Sequence, residues 1–164
     1  MIRIKRTNSD NGDFQELVKA LDLELKLRDG EEHVFYAELN KTDRLQYAVV
    51  AYDQEEAVGC GAVREYSEGT MEVKRMFVPL SKRGHGIATA ILTALEMWCR
   101  ELNVNRCILE TGRNQPEAIG LYLKNNYTII PNFGKYVNSE NSICFEKELL
   151  PDTLIYCQQK AAIC

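Results

Sequence analysis

The sequence lacks the features of membrane-spanning, repetitive and multidomain proteins, and this pattern is typical of a single globular domain. No apolar run approaches the roughly 18 residues of a membrane-spanning helix. The first residues, Met1 to Arg6, alternate as a strand does and do not form a charged-then-apolar leader. Internal repeats, low-complexity tracts and linkers are also missing. At 164 residues we therefore expect one domain over 1–164, in which 151–164 is either a short helical extension or a frayed tail.

The sequence also lacks paired cysteine spacings and a basic composition. None of its six cysteines stands in a Cys-x-x-Cys motif, and most lie in apolar segments. We therefore expect buried, reduced thiols in a cytoplasmic protein, with no metal site. The formal net charge of -4 argues against a nucleic-acid partner, which usually needs a broad basic surface. We expect neither a nucleic-acid nor a membrane partner, and a small-molecule substrate stays open.

Along the chain, segments in which apolar residues recur about every two residues alternate with segments in which they recur about every 3.6 residues. This alternation predicts a mixed α/β (α+β) fold. The strand candidates at 71–78 and 106–111 are separated by one helical segment, so we expect them to be parallel neighbours. The predicted strands cover 2–7, 46–52, 57–66, 71–78, 106–111, 127–130 and 142–149. The predicted helices cover 13–29, 31–41 and 87–102, and another begins near Pro116.

The strand at 71–78 is expected to alternate between its two faces. Alternation puts Glu72, Lys74, Met76 and Val78 on one face, and Val73, Arg75 and Phe77 on the other. Glu72 and Val78 are therefore predicted to point the same way, which would bring the Glu72 carboxylate near the end of the strand.

The stretch 76–88 passes from an apolar strand end through a basic turn into a helix. Gly84 and Gly86 stand at the change, and glycine tolerates positive φ and lets a ligand approach the backbone. The first amides of the helix lack intrahelical acceptors and, with the helix dipole, form a site for an anion such as a phosphate. Lys82 and Arg83 would add positive charge there. The alternative is an ordinary strand-to-helix turn.

Two well-known phosphate motifs do not fit this loop. The dinucleotide fingerprint needs three glycines, and the spacing from Gly84 is Gly-x-Gly-x-Ala. The phosphate loop of nucleotide hydrolases needs Gly-Lys-Ser or Gly-Lys-Thr, which is absent. The remaining pattern, Arg83-x-x-Gly86-x-Ala88 after an apolar strand, resembles the acyl-CoA pyrophosphate loop of the GNAT superfamily of N-acetyltransferases, Arg/Gln-x-x-Gly-x-Gly/Ala.

A second segment, from Glu110 to Tyr127, resembles the GNAT block in which Asn opens a helix, Ala-Ile-x-Leu-Tyr follows and Gly-Tyr or Gly-Phe closes it. Asn126 replaces the usual glycine, a mild departure because Asn is the next-best residue for a left-handed helix end. Pro79 stands one place earlier than the family's proline, with the spacing from Val78 to Arg83 unchanged. The resemblance covers approximately residues 45–148.

The resemblance implies a mixed, mostly antiparallel central sheet of six to seven strands, flanked by about four helices, with a splayed parallel strand pair holding acyl-CoA. It implies an N-acetyltransferase that moves an acetyl group from acetyl-CoA, its co-substrate, to a primary amine by direct transfer in a ternary complex. A non-catalytic acyl-CoA-binding or sensing module on the same fold is the alternative. The residues do not identify the acceptor, which is a small molecule, peptide or protein, and monomer and homodimer both stay open.

The resemblance also assigns cofactor contacts. Backbone groups of Met76, Phe77 and Val78 would hold the thioester carbonyl and the pantetheine arm. The pyrophosphate would be held by the amides of the loop residues Arg83, Gly84, His85, Gly86, Ile87 and Ala88. Asn114 would either bond the pantetheine arm or cap its helix. Lys124 would either touch a CoA phosphate or lie exposed.

Two residues are assigned chemistry. Tyr122 matches the family's tyrosine that protonates the leaving thiolate, and a phenol pKa of about 10 suits that step. The alternative is a core tyrosine with a satisfied hydroxyl. Glu72 is the candidate base, acting through a water, or a carboxylate that binds the acceptor's ammonium. Its alternative is an ion pair with Lys74 or Arg75, and a covalent mechanism through Cys60 is a further one.

The acceptor site is expected to combine residues 28–44 with the loop 131–141, including Phe133 and Tyr136 as substrate contacts. The first segment includes the carboxylates Asp29, Glu31, Glu32 and Glu38. These carboxylates either attract a cationic amine or form a solvated acidic surface.

Overall fold

The computed structural model describes residues 1–30 and 44–150. The strands in this part of the chain are β1 (Ile2–Thr7), β2 (Tyr47–Asp53), β3 (Glu56–Ser67), β4 (Thr70–Phe77), β5 (Arg106–Gly112), β6 (Thr128–Ile130) and β7 (Ser142–Glu148). They form one sheet in the order β1-β2-β3-β4-β5-β7-β6. All neighbours are antiparallel except β4 and β5. The predicted fold class, with a mostly antiparallel sheet and one parallel pair, is confirmed.

Three α-helices flank the sheet within the described residues: α1 (Gly12–Asp29), α2 (Ile87–Glu101) and α3 (Pro116–Lys124). α1 begins where the Asn11 side chain accepts a hydrogen bond from the Phe14 amide at 2.9 Å, and it ends at Gly30. The predicted helix at 31–41 and the tail from Pro151 lie outside the described residues. None of the helices in the described part is long and apolar enough to cross a membrane.

Helices cover the sheet on both faces. The α1-side cluster packs α1 on one face and includes Phe14, Leu17, Val18, Leu21, Val50, Cys60, Ala62 and Phe77. The α2-side cluster packs α2 on the other face and includes Val49, Val63, Val73, Val78, Ile91, Leu92 and Leu95. Four cysteines, Cys60, Cys99, Cys107 and Cys144, are buried and free, as expected, and the other two lie outside the described residues.

α2 approaches the sheet closely because β3 carries glycine beneath it. A Cβ on Gly61 would lie 2.6 Å from the Met76 Sδ and 2.8 Å from the Ile91 Cγ2, which is closer than close-packed atoms can come. At Gly59 the added Cβ would lie 2.8 Å from the Ile91 Cδ1. The absence of side chains at these two positions therefore allows the start of α2 to pack closely against the sheet, next to the end of β4.

β4 contains a bulge near its carboxyl end. Cys60 of β3 lies opposite Phe77, and Ala62 lies opposite Lys74. Between these two pairs β4 has one residue more than β3, which is the definition of a bulge. Arg75 lies within it and has a φ of 58°, the left-handed region that a non-glycine residue enters rarely.

The bulge overturns the expected alternation along β4. Val73 and Val78 both pack in the α2-side cluster, whereas Phe77 packs in the α1-side cluster. Before the bulge, Glu72 points away from Val73 and therefore toward the α1 side. The prediction that Glu72 and Val78 share a face is wrong, because the extra residue shifts the pattern by one position.

β4 and β5 pair over three residues and then part. Their pairs are Thr70 with Arg106, Met71 with Cys107 and Glu72 with Ile108, and no further β4–β5 pair follows in the described strands. The splayed parallel pair that the resemblance implied is therefore present. Its opening begins immediately before the bulge, so the two irregularities act at the same place.

Candidate active site

A cavity of about 410 Å³ fills the gap where β4 and β5 part. Its walls come from α1, the second half of β4, the loop before α2, the end of β5 and α3. The predicted site residues that line it are Glu72, Met76, Phe77, Val78, Arg83, Gly84, Gly86, Ile87, Ala88, Tyr122 and Tyr136. The two motifs of the sequence therefore meet in one concave site.

Three predicted site residues stand outside the cavity lining. His85 is exposed, and its Nδ1 lies 3.3 Å from the carbonyl oxygen of Lys82. Asn114 is exposed too, and it is not the cap of α3, because that position belongs to Gln115. Phe133 packs edge-on against Tyr136, with ring centroids 5.7 Å apart, and so supports a residue that does line the cavity.

The loop before α2 presents backbone to the cavity. Gly84 and Gly86 have φ of 80° and 76°, and no atom lies within 4 Å of a Cβ built on either. α2 begins at Ile87 without a side-chain cap, and its first backbone bond runs from the Ala90 amide to the Gly86 carbonyl at 3.0 Å. The preceding amides of the first turn have no acceptor within the helix, so they are suited to bind an anion.

The two cations beside this loop are already paired. Arg83 donates through Nη2 to both carboxylate oxygens of Glu24 at 2.8 Å, and through Nε to the Val78 carbonyl at 2.8 Å. Lys82 donates to Glu56 at 2.6 Å. The positive charge predicted from the sequence is present but compensated by carboxylates. The backbone amides are therefore the groups of the loop that are best suited to bind an anion.

Tyr122 lies in the wall formed by α3. Its ring is buried and packs against Tyr127 and Phe145, each with centroids 5.7 Å away. Burial raises the pKa of Tyr122, and the nearby Glu110 carboxylate raises it further. The phenol therefore stays protonated at neutral pH and remains a proton donor.

Glu72 lies among partners at the α1 side of the cavity. Its carboxylate accepts from Arg64 at 3.2 Å, from Lys74 at 3.3 Å and from the Tyr136 hydroxyl at 3.5 Å. The ion pair with Lys74 is one of the alternatives predicted from the sequence, whereas Arg75 instead pairs with Asp22 of α1 at 2.8 Å.

Glu110 is a site residue that the sequence reasoning missed. It lies on β5 in the cavity wall, and its Oε1 is buried without a hydrogen-bond partner among the described residues. Burial raises the pKa of Glu110 to about 7, against the opposing effects of Ser142 and Lys74. The available signal was a single carboxylate in the otherwise apolar strand Cys107-Ile-Leu-Glu. A carboxyl group with this pKa is suited to exchange protons near neutral pH.

Cys60 is poorly suited to a covalent mechanism. It is fully buried, lies outside the cavity lining, and its thiol donates to the Arg75 carbonyl in the bulge at 3.4 Å. Burial raises the pKa of Cys60 to about 12. Because the thiolate is the nucleophilic form, this thiol is unreactive at neutral pH.

Comparison with protein families adds independent evidence. A model described as the acetyltransferase (GNAT) family matches residues 13–127. The IAA acetyltransferase of Azospirillum brasilense is 39% identical over 93 residues. That alignment covers 56% of this chain and 61% of the relative, so the chain spans less than two thirds of the length of this curated relative.

Solved structures have a similar fold over most of the chain. A Klebsiella pneumoniae protein described as an acyl-CoA N-acyltransferase has a TM-score of 0.77 and 30% identity, over 92% of this chain and 99% of that one. The PaiA N-acetyltransferase of Thermoplasma acidophilum, solved in complex with coenzyme A, has a TM-score of 0.67 and 15% identity, over 90% and 99%. The second likeness, at its low identity, shows the fold alone.

We predict that Glu110 makes the stability of the protein depend on pH. Its folded pKa of about 7 lies above the ordinary value of 4.5, so the folded state favours the protonated carboxyl. This stabilisation is complete below about pH 4.5 and is lost as the pH rises through about 7. As the pH rises between these limits, the wild type loses this stabilisation and Glu110→Gln does not. The free energy of unfolding of Glu110→Gln should therefore rise by on the order of 2–3 kcal/mol relative to that of the wild type.

The measurement is urea unfolding of both proteins across this pH range. Glu65→Gln, at an exposed position of β3, is the control and should track the wild type. A difference between Glu110→Gln and the wild type that stays constant with pH would contradict the assignment.

Proposed function

This chain belongs to the acetyltransferase (GNAT) family, and we propose that it moves an acetyl group from acetyl-CoA to a primary amine by direct transfer in a ternary complex. The observation that carries the proposal is the cavity between the parted strands, with the amides of α2 at one end and Tyr122 in its wall. The coenzyme A complex of the Thermoplasma PaiA protein, which has the same fold, supports the choice of cofactor.

The cavity wall offers suitable groups for acetyl-CoA. The amides between Arg83 and Ala88 would hold the pyrophosphate, because both glycines there leave the backbone open. Backbone groups from Met76 to Val78, at the end of β4 and beyond the last β4–β5 pair, would bind the pantetheine amides and the thioester carbonyl. Lys124 is exposed at the rim and could reach a phosphate.

The proposed chemistry needs a base for the amine, donors for the developing oxyanion and an acid for the thiolate. Tyr122 is the proposed acid, since its phenol is protonated and lies in the wall. Two carboxylates compete for the role of base. Glu72, predicted from the sequence, already accepts from two cations, whereas Glu110 has a carboxyl pKa of about 7. These environments favour Glu110 as the base and Glu72 as a contact for the acceptor's ammonium.

Binding of acetyl-CoA is the first test. Calorimetry with the full chain should give micromolar affinity, and Gly86→Glu should weaken it at least about tenfold, or about 1.4 kcal/mol, because the added carboxylate repels the pyrophosphate. Gly12→Glu, which adds the same carboxylate at an open glycine outside the cavity, is the matched control and should bind normally. Absence of binding by the wild type would remove the proposed function.

The role of Tyr122 predicts a loss of turnover without a loss of binding. Tyr122→Phe should lower kcat about 10²-fold or more, while the Kd for acetyl-CoA changes little, because only the proton donor is removed. Tyr127→Phe removes a hydroxyl from the adjacent ring outside the cavity and should keep its activity. A free-thiol assay with a panel of primary amines gives the rates. Binding with no transfer to any amine would favour the acyl-CoA-sensing alternative.

The pH dependence of the rate separates the two candidate bases. The wild-type kcat/KM should rise as the pH passes through about 7, where the Glu110 carboxyl loses its proton. Glu110→Gln should abolish this limb and lower the rate, whereas Glu72→Gln should keep the limb and mainly raise the KM for the amine. A limb that disappears in Glu72→Gln and persists in Glu110→Gln would assign the base to Glu72.

A further inference from the structure

A lysine already lies in the cavity among the groups proposed for catalysis. Lys74 is on β4, directly before the bulge, and its side chain is only 6% exposed while it lines the cavity. Its ammonium donates to Glu72 Oε1 at 3.3 Å. Lys74 is also close enough to Glu110 to lower the pKa of that carboxyl, and Glu110 in turn affects Tyr122. The amine therefore belongs to the same charged cluster as the proposed base and the proposed acid.

From this placement we infer that Lys74 is an internal acetyl acceptor, so that the protein acetylates itself inside its own acyl-CoA cavity. The inference rests on the proposed function, since acetyl-CoA must bind there. A side chain tethered in the cavity has a high effective concentration relative to any free amine. Modification would remove one of the two cations that now pair with Glu72, and it would place an amide where the amine stood.

The step balances with groups that are present in the cavity. The Lys74 ammonium gives a proton to the Glu72 carboxylate, to which it is hydrogen-bonded. The neutral amine then forms the new N–C bond to the acetyl carbonyl while the thioester C–S bond breaks. Tyr122 donates a proton to the leaving thiolate, which departs as free CoA, and the surplus proton of the nitrogen is lost to Glu110. Burial lowers the pKa of Lys74, which enlarges the neutral, nucleophilic fraction.

The experiment follows acetylation of individual lysines in the full-length protein. The purified chain is incubated with acetyl-CoA, digested with a protease that does not cleave at lysine, and analysed by mass spectrometry before and after incubation. Lys74 should gain an acetyl group at least about tenfold faster than the exposed residues Lys5 and Lys26, which report chemical acetylation from solution. Gly86→Glu and Tyr122→Phe should slow the modification of Lys74 and leave the two exposed lysines unchanged.

The outcomes separate this inference from the proposed function. If calorimetry on the same sample shows acetyl-CoA binding while Lys74 is modified no faster than Lys5 and Lys26, the internal acceptor is overturned and the proposed function stands. If acetyl-CoA does not bind, both fail. If Lys74 is modified at the same rate in Gly86→Glu, its acetylation is chemical and the inference is overturned. Gly12→Glu, which adds the same carboxylate at an open glycine outside the cavity, should modify Lys74 as the wild type does.

Discussion

The bulge in β4 and the parting of β4 from β5 lie within a few residues of each other, and the site depends on both. Arg75 holds a left-handed backbone in the bulge, a conformation that costs a residue with a Cβ about 1–2 kcal/mol. Tertiary contacts offset this cost, because the Arg75 side chain pairs with Asp22 at 2.8 Å and its carbonyl accepts from the Cys60 thiol. From the bulge onward, the described part of β4 has no pair with β5, so that backbone groups there are left for a ligand.

The same gap concentrates ionisable groups where water is scarce, and their pairing makes them unequal. The Glu72 carboxylate accepts hydrogen bonds from both Arg64 and Lys74. These two cations supply the partners that a buried carboxylate requires. At Glu110, burial outweighs the opposing effects of Ser142 and Lys74 and raises the carboxyl pKa to about 7. The two carboxylates of the cavity therefore have different surroundings: Glu72 lies between two cations, whereas burial brings the carboxyl pKa of Glu110 near neutrality.

Local patterns in the sequence were sufficient for the framework and insufficient for the details of the site. The bounds of β1 and of α1 follow from alternation and helical spacing, and Asn126 does adopt the left-handed φ of 66° expected where the family has glycine. The bulge was missed because it arises from the pairing of β4 with β3, which no pattern within β4 records. Glu110 was missed because only the folded structure shows that its Oε1 is buried and has no hydrogen-bond partner in the described part of the chain. The residues at 31–43, part of the predicted acceptor site, lie outside the described part of the chain.

The pairing of Arg83 shows a second contribution of α1 to the cavity. Besides forming part of the wall, α1 holds the loop before α2 through ion pairs. Glu24 of α1 binds the Arg83 guanidinium and lies 3.7 Å from Arg28, one turn further along the helix. Arg28 in turn donates two hydrogen bonds, of 2.9 and 3.1 Å, to the carboxylate of Glu117 in the first turn of α3. These bonds lower the pKa of Glu117 to about 2. The chain of charges therefore ties the loop before α2 to the opposite wall of the cavity. Pairs of this kind near the surface are each weak and are screened by salt. Because Arg83 is already paired in this way, an anion bound at the loop would be held mainly by backbone amides, and the glycines at 84 and 86 leave that backbone open.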